Sequence, residues 1–315
     1  MLSRVANSLY WMGRYIERAE YMARYLRVQY FTILDAPMNQ NKNFVLRSIM
    51  FMSDLEEEEQ LFSYPQEDEI LIGASLSLEN PSSIVSCIHH SRENARTIRN
   101  VISSELWQEI NRYYHFVNNY NHQYYVTRGL YDFTAKVQEH TSIIRATLDG
   151  SLLHDEVWAM IKMGVHLERS IQIIRILANK INDIKSLTLG EKGTAIESYQ
   201  WATTLKIFEA FDMNYKTYKR SPNEHNTIDF LVTNPLFTRS LAYNIKLLSQ
   251  YSVRILGTPK TKKESLGFHL AKMAAFYEYL TIKEVELNVD EFLLNALNDI
   301  YEIHLDLEKE LIKIG

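Results

Sequence analysis

Two glutamate–arginine pairs occupy the same local frame. Gly13-Arg14-Tyr15-Ile16-Glu17-Arg18-Ala19 reappears, 151 positions on, as Gly164-Val165-His166-Leu167-Glu168-Arg169-Ser170. Arg24 follows Glu17, and Arg175 follows Glu168, at a distance of seven residues. On a helix, seven residues leave the two side chains about 20° apart around the axis. Glu17, Arg18, Arg24, Glu168, Arg169 and Arg175 can therefore share one polar centre if the two helices cross. Paired carboxylates can do acid–base work, and guanidinium groups clamp carboxylate or phosphate in a planar fork. The same residues can equally form a buried ion-pair cluster that fixes helix register. Removal of one member would then cost about 3–5 kcal/mol.

A second group of arginines, Arg92, Arg96 and Arg99, lies in SRENARTIRNVISSELWQEIN. With Arg14 they form the candidate anion-binding set, either a wall facing an anion or a solvated face. Glu93 precedes Arg96 by three residues, the spacing of a helix-surface ion pair. No nucleophile stands out: Cys87 lies within a helical pattern, where packing is its expected role. A metal is not expected. Di-iron carboxylate bundles use Glu-x-x-His on two helices, and this chain has no Glu-x-x-His. His89 and Glu93 have one-turn spacing but no companions, and His154 and His269 are isolated. No cofactor is expected.

The elements that carry these residues read as helices. Trp158–Lys180 is apolar almost all round, as a buried helix is. Its charges need partners inside the protein. Residues 3–34 form the other central helix, with Leu9, Met12, Ile16, Ala19, Ala23 and Leu26 as its core stripe. A glycine inside a helix costs roughly 1 kcal/mol relative to alanine. Gly13 and Gly164 therefore point to close approach at the same place in both helices. Further helices are expected at 42–54 and 81–112, then a helix end and covering loop in the Tyr-, His- and Asn-rich stretch 113–133, a second long helix after it to about Leu148, and helices at 195–219, 235–256, 262–282 and 289–313. Glu56–Glu59 and Tyr64–Glu69 read as solvated loop or helix end. Ser151 is the expected N-cap of the central helix. Leu189–Thr194 reads as a turn, and its glycine spacing is wrong for a phosphate loop. A weaker echo, Asn80-Pro81…Ser86 and Asn234-Pro235…Ser240, repeats at 154. Together the offsets suggest duplicated halves, about 1–150 and 151–315, with pseudo-two-fold symmetry. The expected class is an all-α multi-helix bundle built as one domain around two Glu-Arg helices.

Composition agrees. Ten glycines and six prolines in 315 residues favour helices with short connections over a sheet with many turns. A net charge of −5 gives no footprint for nucleic acid. One cysteine fits a reducing compartment, and no run of 18 apolar residues reads as a membrane span. A cytoplasmic protein is expected.

The N-terminal stretch MLSRVANSLYWMGRYIERAEYMARYL resembles the start of the alpha-E family of bacterial helical proteins, named for a Glu-Arg motif. SRENARTIRNVISSELWQEIN resembles its Arg-Glu-Asn-Ala-Arg segment. Asp155-Glu156-x-Trp158 with Gly164–Arg169 resembles its second Glu-Arg helix, and Trp201 with Pro235–Ser240 its C-terminal half. Val165 stands where that motif more typically has an arginine, so Arg14 has no counterpart there. The resemblance implies an all-helical fold. It also implies a setting beside ATP-grasp and transglutaminase-like proteins in a peptide-forming or peptide-modifying system, with no activity assigned to the family itself. An accessory protein is then expected, one that binds such a partner or a peptide or carboxylate ligand. The alternative is an enzyme with Glu17 and Glu168 as acid and base and Arg18 and Arg169 holding an anionic substrate.

Overall fold

The computed structural model describes residues 1–35, 40–55, 67–125, 129–257 and 263–312. Every regular element among them is helical. In chain order these are α1 (Ser3–Asp35), α2 (Gln40–Met52), α3 (Glu67–Ser75), α4 (Ile84–Thr97), α5 (Ser104–Asn118), the single turn α6 (His122–Tyr124) and α7 (Leu130–Ser151). There follow α8 (Glu156–Thr188), α9 (Ala195–Ile207), α10 (Phe211–Tyr218), α11 (Glu224–Ile228), α12 (Leu241–Leu256), α13 (Leu266–Tyr279), α14 (Ile282–Glu286) and α15 (Val289–Leu307). Short π-helical segments, Asp229–Thr233 and Glu308–Ile312, continue α11 and α15.

The chain divides into two compact units. The first joins Met1–Arg14 to Leu153–Gly315, and the second is Tyr15–Leu152. Helix α1 contributes to both. In the first unit, α8 is buried along most of its length and packs against α9, α12 and α15. Its apolar positions on every face, Met160, Ile161, Met163, Leu167, Ile173, Ile174, Ile176 and Leu177, are each 1% exposed or less. In the second unit, α5 packs against α4 and α7, and α2 against α3.

Several expected helices are divided where local hydrogen bonding offers the backbone another course. The helix expected over 81–112 is two. Ile98 closes α4 with its N–H on the Ala95 carbonyl, and Ser103 opens α5 by accepting the Leu106 N–H. The helix expected over 195–219 breaks after Ile207, where Glu209 adopts a left-handed backbone. The one expected from 235 begins at Leu241. The Asn234 side chain first takes the Leu236 and Phe237 N–H groups, and Ser240 then caps α12. Ser151 does not cap α8. It is the last residue of α7 and donates to the Thr147 carbonyl, while Asp155 caps α8 through the Val157 and Trp158 N–H groups. Glu67, Asp68 and Glu69 form the acidic first turn of α3, where negative charge suits the helix dipole. Glu56–Glu59 and Tyr64–Gln66 lie outside the described residues.

Local likenesses accompany the two offsets. α1 and α8 each have 33 residues, and α2 and α9 each have 13. Asn80 and Asn234 both accept the N–H two residues on, from Ser82 and Leu236. These likenesses are local and do not show duplicated halves.

Candidate functional site

The two glycines of the repeated frame are where α1 and α8 touch. A Cβ placed on Gly13 would overlap the carbonyl oxygen of Ile161, and one placed on Gly164 would overlap that of Tyr10. Each glycine thus meets the carbonyl three residues before the other. Only hydrogen at Cα allows backbones this close.

That crossing sets the position of Arg14, the residue after Gly13. Its Nε donates to Glu168 Oε2 at 2.8 Å, and the Gln172 amide donates to Glu168 Oε1 at 2.9 Å. Glu168 is 0% exposed and Arg14 4%. The guanidinium also lies 4.5 Å from the Trp11 ring centre and 3.4 Å from the Tyr10 hydroxyl. The Tyr10 hydroxyl is 2.9 Å from His304 Nδ1 on α15, and His304 Nε2 is 3.6 Å from Glu308. Burial pushes the Tyr10 hydroxyl up to about 12, with Arg14 acting the other way. Tyr10 is therefore a neutral hydroxyl, able to accept from Arg14 and to share a hydrogen bond with His304. A continuous polar chain runs from Gln172 through Glu168, Arg14 and Tyr10 to His304 and Glu308, which are partly exposed. His304 and Gln172 were not legible as partners. Tyr10 lies one turn before Arg14 on α1.

In the second unit, Glu17 and Glu20, both buried, share the Arg145 guanidinium of α7, which reaches Glu17 at 2.8 Å. Arg24 approaches Glu20 at 3.6 Å and stacks 4.3 Å from the Tyr21 ring centre. Of the remaining candidates, Arg169 is buried and donates to the Thr238 carbonyl. Arg18 and Arg175 are half-buried, and Arg18 lies 5.8 Å from the Tyr15 ring centre. Arg145 and Glu20 had no sequence signal beyond ordinary helical spacing.

Arg92 and Arg96 of α4, and Arg99 in the turn that follows it, lie on a surface shared with α5. Glu93 pairs with both Arg96 and Arg92. Arg92 also donates to Asn111 at 3.0 Å and stands 4.6 Å from the Tyr114 ring centre. Arg99 stacks 5.4 Å from the Trp107 ring centre and has no carboxylate partner among the described residues. His89 joins this face through Asn118 and the Tyr114 ring. Cys87 is fully buried. Among the described residues, no group of three or more His, Cys, Asp or Glu is arranged to hold a metal. None of the described helices is long and apolar enough to cross a membrane.

A family model described as a predicted alpha-helical domain with a conserved ER motif, Alpha-E, matches residues 1–310. The chain belongs to the Alpha-E family. Uncharacterized proteins of Mycobacterium bovis and Mycobacterium tuberculosis are each 24% identical to it over 199 residues. Each match takes in 58% of this chain and 22% of the relative. No solved structure matches the chain.

Proposed function

We propose that this Alpha-E chain is a binding component, without chemistry of its own, of an ATP-grasp-linked peptide-forming or peptide-modifying system. In this reading it engages a carboxylate-bearing partner or ligand through the cation–aromatic face of α4 and α5. The observation that carries it is the contrast between the two arginine groups. Glu168 has both oxygens occupied and no exposure, so its site serves rigidity better than turnover. Arg99 is exposed, lies over the Trp107 ring and has no carboxylate partner among the described residues. A guanidinium over an indole is attracted to the ring face while its N–H donors can still reach a carboxylate. The setting beside ATP-grasp and transglutaminase-like proteins comes from the family resemblance, and a cytoplasmic location accords with one buried cysteine.

The test is native mass spectrometry of the chain with its neighbouring ATP-grasp protein, for the natural sequence and for Arg99→Glu with Arg96→Glu. A defined complex that the double substitution abolishes supports the reading. A complex indifferent to it moves the interface elsewhere. Turnover of a substrate by the isolated chain, lost in Glu168→Gln with the fold intact, overturns the reading in favour of an enzyme.

A further inference from the structure

A cavity of about 400 Å³ opens between α13 and α15 in the first unit, well away in sequence from the Glu-Arg frame. Its apolar lining is Met273, Phe276 and Ile303, and its charged lining is Lys272 from α13 and Asp299 and Glu302 from α15. His269, at one end, is engaged with Asp306 at 2.5 Å. Lys272, Asp299 and Glu302 form no ion pair among the described residues, although they line one cavity. Phe276 is 53% exposed, an aromatic ring left open beside charges. Partial desolvation raises the carboxyl of Asp299, itself an exposed residue, from its ordinary range, and Lys272 offsets this only in part.

This arrangement selects by charge. A simple cation would meet Lys272, and a simple anion would meet two carboxylates. A neutral apolar ligand would cover Asp299 and leave its charge uncompensated, which is costly. A ligand with an ammonium at one end, a carboxylate at the other and an apolar body satisfies all three walls. Neighbouring helix axes lie about 8–10 Å apart, and two extended residues span about 7 Å. A cavity of this size is also in the range of small-ligand sites, about 300–1,000 Å³.

We propose that the α13–α15 cavity binds a short zwitterionic peptide with apolar side chains. Its ammonium lies on Asp299 and Glu302, its carboxylate on Lys272, and its side chain against Met273 and Phe276. This site is independent of the α4–α5 face.

The experiment is calorimetric titration of the full chain with Phe-Leu as the free, N-acetylated and C-amidated dipeptide. The free form is expected to bind one to one. Blocking either end should weaken binding at least tenfold. In Asp299→Asn with Glu302→Gln, N-acetylation should no longer matter, while amidation still does. In Lys272→Met the pattern should reverse. All three residues are exposed, so the fold should survive, as circular dichroism would verify. Equal binding of all three dipeptides, or no saturable binding of the free one, overturns the proposal, as does an N-acetylation penalty that persists in the double variant.

Discussion

Arg14 and Glu168, 154 residues apart in sequence, are held 2.8 Å apart by the crossing of α1 and α8. The two glycines permit the approach, and the ion pair occupies the next turn. Close packing and charge pairing therefore stabilise one geometry together. The pair should be sensitive to loss of one member and tolerant of loss of both. Arg14→Met leaves an ionised carboxylate buried and should cost about 3–5 kcal/mol in denaturant unfolding. Arg14→Met with Glu168→Leu should recover part of that loss, because neither member of the pair is then left as a buried, uncompensated charge. A double variant as unstable as the sum of the singles would show that the pair is not a unit.

Glycine-to-alanine substitutions should separate by position. Alanine at Gly164 or Gly13 improves helix propensity by about 1 kcal/mol. Its Cβ nevertheless collides with a backbone carbonyl that cannot swing aside, so net destabilisation of about 2 kcal/mol or more is expected. Gly150, within α7, has nothing within 4 Å of an added Cβ. Gly150→Ala should stabilise by up to about 1 kcal/mol. Urea midpoints of the three variants check this ordering.

Tyr10→Phe removes the hydroxyl that links Arg14 to His304. The ring stays in its packed place, stacked 5.7 Å from the imidazole. A loss of about 1–2 kcal/mol is expected from the broken buried hydrogen bonds. A neutral result would mean that His304 and Arg14 find other partners without strain.

Arg145 holds two buried carboxylates, Glu17 and Glu20. Arg145→Leu should leave them repelling each other in a buried site, with Arg24 offsetting this at Glu20, which raises their proton affinity in the fold. The folded variant then binds more protons than its unfolded chain, so its stability should rise as pH falls from 7 toward 5. Thermal melts across that range check the sign.

Asp299 provides the corresponding test for the natural chain. Its carboxyl is raised by partial desolvation, so the folded state holds the proton more tightly than the unfolded chain. Its contribution favours folding below the unfolded value, about 3.9, and is lost as pH rises through the folded one. Asp299→Asn should be no less stable than the natural protein at pH 7 and should show a flatter dependence above pH 4.

Much of this was carried by the sequence itself. An apolar run on every face of Trp158–Lys180 determines a buried helix, because no amphipathic placement would cover it. The repeated Gly-x-x-x-Glu frame marked the contact between α1 and α8, since a helix rarely bears the penalty of glycine twice at the same place without a packing reason. The Glu93–Arg96 pair followed from three-residue spacing. Tertiary structure decided who meets whom. Helical spacing orders residues around one axis and says nothing about which distant helix supplies a guanidinium. Arg145 of α7, His304 of α15 and the cavity between α13 and α15 depended on packing. The breaks at Ile98 and Glu209 likewise turned on local caps that compete with helix continuation by margins too small for periodicity to register.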